Sequence, residues 1–405
     1  MRYKLFGNSG LRVSELCLGT MTYGEEWGWG ASKEESRRIF DAFVQAGGNF
    51  IDTANHYTGG TSEKYVGEFI ATERERFVLA TKYTLNGRPD DPNGGGNHRK
   101  SMVQALDASL KRLGTDYIDL YWLHAWDFMT PVEEVMRAFD DLVRSGKVLY
   151  IGISDAPAWI VSRANTLAEL RGWSPFVGLQ IQYSLIERTP ERDLLPMARA
   201  MDIAVTAWGP LGGGLLTGKY NPGADKSAAA DARYSVSPWG QDLMGERNFG
   251  IAAAVVELAN AIGRTPSQVA INWIRQQKRG VIVPILGARK LSQLQDNLAS
   301  LDVGSRMIDR SFLKESGFGP VVFLQFGERG DMAEVLLGDV LIIEVEIALQ
   351  GGFQVTGGGR HPAQQLGFLV RFEAEPHAQL VEFGVEHGVG QGLKAGHGSP
   401  PNITQ

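Results

Sequence analysis

GTMTYGEEWGWG, residues 19–30, follows the first apolar strand candidate of the chain and separates two possible folds. A doubly wound nucleotide binder carries a G-x-G-x-x-G turn here, so that backbone can approach a pyrophosphate at a helix N-terminus. The nearest approach, Gly28-Trp29-Gly30, runs into Lys33 where the third glycine belongs. The turn is therefore not a dinucleotide fingerprint. Outward from it, apolar strand candidates recur at 16–20, 50–54, 78–82, 118–124, 148–154, 177–182, 203–208 and 281–287, with amphipathic stretches between them. Strands alternating with helices imply a parallel sheet, and eight is the number that closes a barrel. The expected fold class is α/β, a (β/α)8 TIM barrel over residues 1–302. Asn8-Ser9-Gly10, between short apolar pieces, predicts an N-terminal β-hairpin under the barrel.

Helix punctuation agrees. Ser32 with Glu35 reads as a capping box before Ile39, Phe40 and Phe43, and Gly47 as its stop. Thr130-Pro131 and Thr265-Pro266 open further helices, and Gly114 closes the one that carries Leu106, Leu110 and Leu113. Residues 209–246 hold no sustained period and read as a lid or binding loop.

Composition narrows the function classes. A net charge of −6 disfavours nucleic acid as a partner, because phosphate binding needs a basic face. One cysteine, Cys17, allows no intrachain disulfide and no zinc site of its own, and no metal is expected. No apolar run reaches the length of a membrane span, and MRYKLFG does not read as a leader, so the expected compartment is the cytoplasm.

In a barrel, residues at the carboxyl ends of different strands converge on one site. Those ends supply Asp52 with Tyr57 just beyond it, Lys82, His124, Ser154 with Asp155, Gln180 and Trp208. Each alone has a plain structural explanation, since strand-end polar groups often only satisfy loop backbone. Together they make chemistry. A lysine ending an apolar strand needs a partner, and Asp52 is at hand. A tyrosine beside that ammonium is expected to become more acidic and serve as proton donor. His124 is placed to hydrogen-bond the same carbonyl oxygen. Aromatic loop residues Tyr23, Trp27, Trp29, His56 and Trp126 are candidates for the substrate pocket. Gly213 to Lys219 reads G-x-x-x-x-G-K, but Tyr220 stands where a P-loop needs Ser or Thr for magnesium, which argues against a nucleoside triphosphatase.

The whole resembles the aldo-keto reductase superfamily. DTANHYTGGTSEKYVG (52–67), LATK (79–82), LYWLH (120–124), YIGISD (150–155), LQIQYSL (179–185), TAWGPLGGGLLTGKY (206–220) and PILGARKLSQLQDNL (284–298) follow in the family's order. The resemblance implies a catalytic tetrad of Asp52, Tyr57, Lys82 and His124. It implies that Ser154, Asp155 and Gln180 hold a nicotinamide carboxamide, that Trp208 stacks on the ring, and that Gly209, Leu211, Gly213 and Lys219 line the diphosphate. Gly287, Arg289, Gln293 and Asn297 would meet the adenosine end. Arg289 and Lys290 directly after a strand suit a 2′-phosphate, which favours NADPH. The expected activity is reduction of an aldehyde or ketone to the alcohol. Two positions depart from the family's pattern: Asp155 stands where Asn is usual, and Gly209 where Ser is common. An aspartate can donate a hydrogen bond only when protonated. A cofactor-binding regulatory protein on the same barrel, resembling the potassium-channel β-subunits, is the alternative from another class. A Schiff-base aldolase is disfavoured, because Asp52 keeps Lys82 charged.

Past residue 302 the character changes. All nine tryptophans and all eleven tyrosines precede it, while four of the seven histidines follow it. Residues 303–405 form an atypical extension. Either it is a small β-rich domain around Val335–Leu349, or the coding frame shifts near residue 302 and the tail is an unselected, disordered sequence. The mismatch between its apolar runs and its missing caps and turns favours the shift.

Overall fold

The computed structural model describes residues 1–85, 90–223 and 243–303, and beyond them the backbone of five strands. The strands β1 (Tyr3–Leu5) and β2 (Arg12–Ser14) form an antiparallel hairpin. Eight parallel strands then close a barrel: β3 (Cys17–Gly19), β4 (Phe50–Asp52), β5 (Val78–Tyr83), β6 (Ile118–Leu123), β7 (Val148–Ser154), β8 (Phe176–Gln182), β9 (Ala204–Trp208) and β10 (Ile282–Gly287), with β10 pairing back onto β3. Barrel strands face a filled interior on one side and helices on the other, so β5 and β6 are buried at every position. The fold is the (β/α)8 barrel that the alternation implied.

The hairpin plugs the barrel floor. Phe6, fully buried, meets Phe50 at 5.5 Å and Trp122 at 6.4 Å between ring centroids, both edge-on. Trp122 fills the interior only because two neighbouring strands carry no side chain there. A Cβ on Gly152 would lie 2.4 Å from the indole, and one on Gly178 would lie 2.7 Å from Phe6. Below this layer Glu15, 2% exposed, bonds Arg2 and Arg275.

Helix starts follow the caps with local revisions. Ser32 accepts from the Glu35 N–H at 3.3 Å, but the Glu35 carboxylate does not return to Ser32; it accepts from the Leu291 N–H at 2.6 Å. Thr265 caps Pro266–Arg275 as expected, at 3.2 Å from the Gln268 N–H. The Thr130 hydroxyl donates to Asp127, leaving Pro131 to precede the helix Val132–Arg144. The strand expected over 50–54 ends at Asp52, although the Thr53 and Asn55 N–H groups still donate to the Ala80 and Lys82 carbonyls of β5.

The chain divides into two compact units, Met1–Ile308 and Asp309–Gln405. In the second, β11 (Val322–Phe326), β12 (Ala333–Leu337) and β13 (Leu341–Val345) make an antiparallel sheet, and β14 (Leu366–Val370) pairs with β15 (Val381–Val385). The apolar run from Val335 thus spans the end of β12 and all of β13. Of the expected lid, residues 224–242 lie outside the described residues. No described helix is long and apolar enough to cross a membrane.

Candidate active site

Register fixes the site. Ladder pairing sets Asp52 beside Ala80 and Lys82 beside Trp122, while Ser154 on β7 pairs with Gln180 on β8. The C-terminal ends of these strands form one rim. At its centre the Lys82 ammonium, without solvent exposure, is bonded to Asp52 Oδ2, to the Thr53 carbonyl at 2.9 Å and to the Tyr57 hydroxyl at 3.1 Å. Removing either member of a buried ion pair costs about 3–5 kcal/mol, because the other is left uncompensated. Tyr57 begins a short 3-10 turn in which Thr58, Gly59 and Gly60 all take left-handed conformations, and the Thr58 hydroxyl is pinned to the Tyr23 carbonyl at 2.6 Å.

Tyr57 corrects one expectation. Burial raises its phenol pKa, and the pull of Lys82 in the other direction does not overcome it. In the bare protein Tyr57 is thus a protonated phenol at neutral pH, ready to donate. Lys82 is itself held charged: burial lowers its pKa, and Asp52 and Tyr57 together more than offset this. His124 stands 6.0 Å from the Tyr57 ring, edge to face. Burial, with help from Lys82, pushes its imidazole well below the ordinary value, so it is neutral at pH 7. A neutral imidazole beside a protonated phenol can hydrogen-bond a carbonyl oxygen.

Around this centre, Ser154 is buried at the end of β7. Asp155, at φ +42°, accepts from the Trp208 indole N–H at 3.2 Å. Gln180 donates its amide to Asp52 Oδ1 at 3.0 Å, a bond the sequence did not disclose. Gly209 has φ +68°, which explains the glycine at that position: a serine would be strained. Leu211 precedes the 3-10 segment Gly212–Thr217, in which Gly212, Gly213 and Gly214 are all left-handed. Lys219 folds back over this segment, so that a Cβ on Gly214 would lie 2.8 Å from its ammonium. Burial lowers the Lys219 pKa and the nearby Arg289 charge adds to it, so two cations share one groove. Gly287 ends β10 and is exposed, Gln293 accepts from the Arg289 N–H at 2.9 Å, and Asn297 is buried on the following helix.

The aromatic residues split. Trp27 packs against Trp29 at 5.7 Å, His56 at 5.7 Å and the Tyr57 ring at 6.4 Å, and so overhangs the donor. Trp126, 8% exposed, lines a cavity of about 630 Å³ with Thr84, Leu85, Met129 and Pro131. Tyr23 does not join them. It is fully buried against Phe69, 6.2 Å away, and its hydroxyl has no partner among the described residues.

Comparison with known proteins fits this rim. The family model described as aldo/keto reductase family matches residues 15–308. The chain belongs to the aldo/keto reductase family. Norsolorinic acid reductase stcV of Emericella nidulans is 40% identical over 308 residues, covering 73% of this chain and 76% of that protein. Norsolorinic acid reductase B of Dothistroma septosporum is also 40% identical, over 75% of this chain and 78% of its own length. An aryl-alcohol dehydrogenase [NADP(+)] of Phanerodontia chrysosporium is 36% identical, over 80% and 88%. This aldo/keto reductase is accordingly an oxidoreductase of carbonyl compounds.

Sequence reading missed what ties the aldo/keto reductase rim together. The Thr22 hydroxyl donates to the Ala288 carbonyl at 2.6 Å, joining the loop that carries Trp27 to the turn that carries Arg289. Nothing in either segment signals a partner so distant in the chain.

Proposed function

We propose that the protein reduces an aromatic aldehyde or ketone to its alcohol with NADPH, Tyr57 delivering the proton. The buried Asp52–Lys82–Tyr57 chain is the observation that carries this reading. The cofactor, when bound, supplies the hydride. The protein's residues do the rest. Trp208, half-buried and held by Asp155, offers a face for the nicotinamide ring. Ser154 and Asp155 border the place where its carboxamide would rest, and a carboxyl oxygen of Asp155 would accept from the carboxamide nitrogen.

Left-handed Gly212–Gly214, without side chains, would let a diphosphate approach the backbone closely. Lys219 and Arg289, whose charges act on one another, suit the additional 2′-phosphate. At the chemical centre, Tyr57 Oη and His124 converge on the carbonyl oxygen, and the Tyr57 proton is replaced through Lys82. Trp27, edge-on to the Tyr57 ring, would supply a flat apolar wall, and the substrates named for two of the relatives, an aryl alcohol and norsolorinic acid, agree with that shape.

Loss of nicotinamide absorbance with NADPH and a panel of aryl aldehydes tests the proposal. Tight NADPH binding without turnover of any aldehyde would overturn it in favour of a cofactor-binding regulatory protein.

A further inference from the structure

The Gln180–Asp52 bond crosses the barrel. In the closed order β10-β3-β4-β5-β6-β7-β8-β9, the strand of Gln180 stands four places from that of Asp52, diametrically opposite. Side chains on opposite strands meet only at the axis, so the 3.0 Å contact is a strut across the mouth rather than a neighbour contact. Gln180 is 3% exposed and Asp52 2%, where a hydrogen bond to a charged group is strong and its loss costly.

We propose that Gln180 is a positioning residue of the proton-delivery chain: by holding Asp52 Oδ1 it limits the grip of Asp52 on Lys82, and so sets how readily Tyr57 releases its proton. This deepens the reductase reading and rests on it. A carboxylate divides its charge between two oxygens. Gln180 engages Oδ1 while Lys82 engages Oδ2. Without the amide donor, negative charge shifts toward Oδ2 and binds the ammonium more tightly. The ammonium then gives less to the Tyr57 oxygen, the phenolate is less stabilised, and the phenol holds its proton more firmly.

Other groups also face Tyr57. Lys82 comes from β5, Asp52 from β4, His124 from beyond β6, Asp155 from beyond β7, and the Trp27 edge from the first loop. Among these, Asp52 is the one that receives the Gln180 amide. Were Gln180 also to hold the nicotinamide carboxamide, as the resemblance implies, one side chain would link the cofactor to Asp52.

A difluorotyrosine placed at position 57 by codon suppression brings the phenol's titration into a range where the fold is stable, and gives a single fluorine signal. In cofactor-free protein, Gln180→Met should move that titration upward by about half a pH unit or more. Gln180→Leu, which removes the same donor with a different side-chain shape, should move it in the same direction. If Gln180→Met does not fold, Gln180→Leu decides alone. Titration at the wild-type position in every folded variant would overturn the proposal. The two readings fail separately: a titration shift in a protein that reduces no aldehyde sinks the reductase and leaves the strut, while turnover without a shift does the reverse.

Discussion

Lys82 Nζ lies 3.1 Å from the Tyr57 hydroxyl oxygen and over the face of the same ring, 4.8 Å from its centroid. The ammonium therefore favours the phenolate form of Tyr57, while burial opposes it and keeps the resting phenol protonated. Tyr57→Phe preserves the ring and its contact with Trp27 but removes the proton. It should bind NADPH as the wild type does and lose about 100-fold or more in kcat. Single-turnover kinetics with a saturating aldehyde would check this, and near-normal turnover would remove Tyr57 from the mechanism.

Cofactor choice is a separate matter at the other end of the groove. Arg289→Ala should weaken NADPH binding by about 1.5–3 kcal/mol, the range of a charge-assisted contact, and leave NADH nearly unchanged. Fluorescence titration with both cofactors distinguishes the outcomes. Equal losses would show that Arg289 meets some group other than the 2′-phosphate.

Acid stability is expected to depend on the barrel floor. Burial pushes the Glu15 carboxyl up, but hydrogen bonds from Arg2 and Arg275 prevail and hold it down to about 2. A depressed carboxylate stabilises the fold above its unfolded-state pKa and loses that contribution as pH falls through the folded value. Stability should therefore decline between about pH 4.5 and pH 2, by about 2 kcal/mol for this group after allowance for the exposed Arg2. Denaturant melts across that window on wild type and Glu15→Gln provide the measurement. The variant should start less stable and show a flatter decline; parallel curves would contradict the assignment.

Much of the grouping of Asp52, Tyr57, Lys82 and His124 was legible because a barrel brings strand ends together whatever lies between them. Asp52 and Tyr57 are five residues apart, and Lys82 and His124 each close a strong apolar run. What escaped depended on direction. Tyr23 and Trp27 share one loop, and the sequence assigned both to the pocket. The loop folds back on itself, Gly24 bonding Ala31 at 3.0 Å and Ala31 bonding Thr22 at 2.8 Å, which sends Tyr23 toward Phe69 and lifts Trp27 over the donor. Two long-range bonds were equally invisible: Thr22 to Ala288, 266 residues apart, and Gln180 to Asp52, 128 apart. The acidity of Tyr57 was misjudged because proximity to Lys82 can be inferred from strand order, while the extent of burial cannot.

The extension from residue 303 calls for a different test. We propose that the coding frame shifts near residue 302, so that the residues beyond it were not selected with the barrel. The family match ends at residue 308, and the tail has no Trp or Tyr and a net charge of −5 from 7 basic and 12 acidic residues. Its described strands form one three-stranded and one two-stranded sheet, and a lone two-stranded pair is marginal in water without further packing. Two measurements check the proposal. Translating the coding DNA beyond residue 302 in the other frames should yield a continuation resembling the end of an aldo/keto reductase. Limited proteolysis should trim the tail and leave a stable core, ending near residue 302–315, that keeps its hydride transfer. A protease-resistant tail fragment, or activity lost on trimming, would instead establish these residues as a domain of their own.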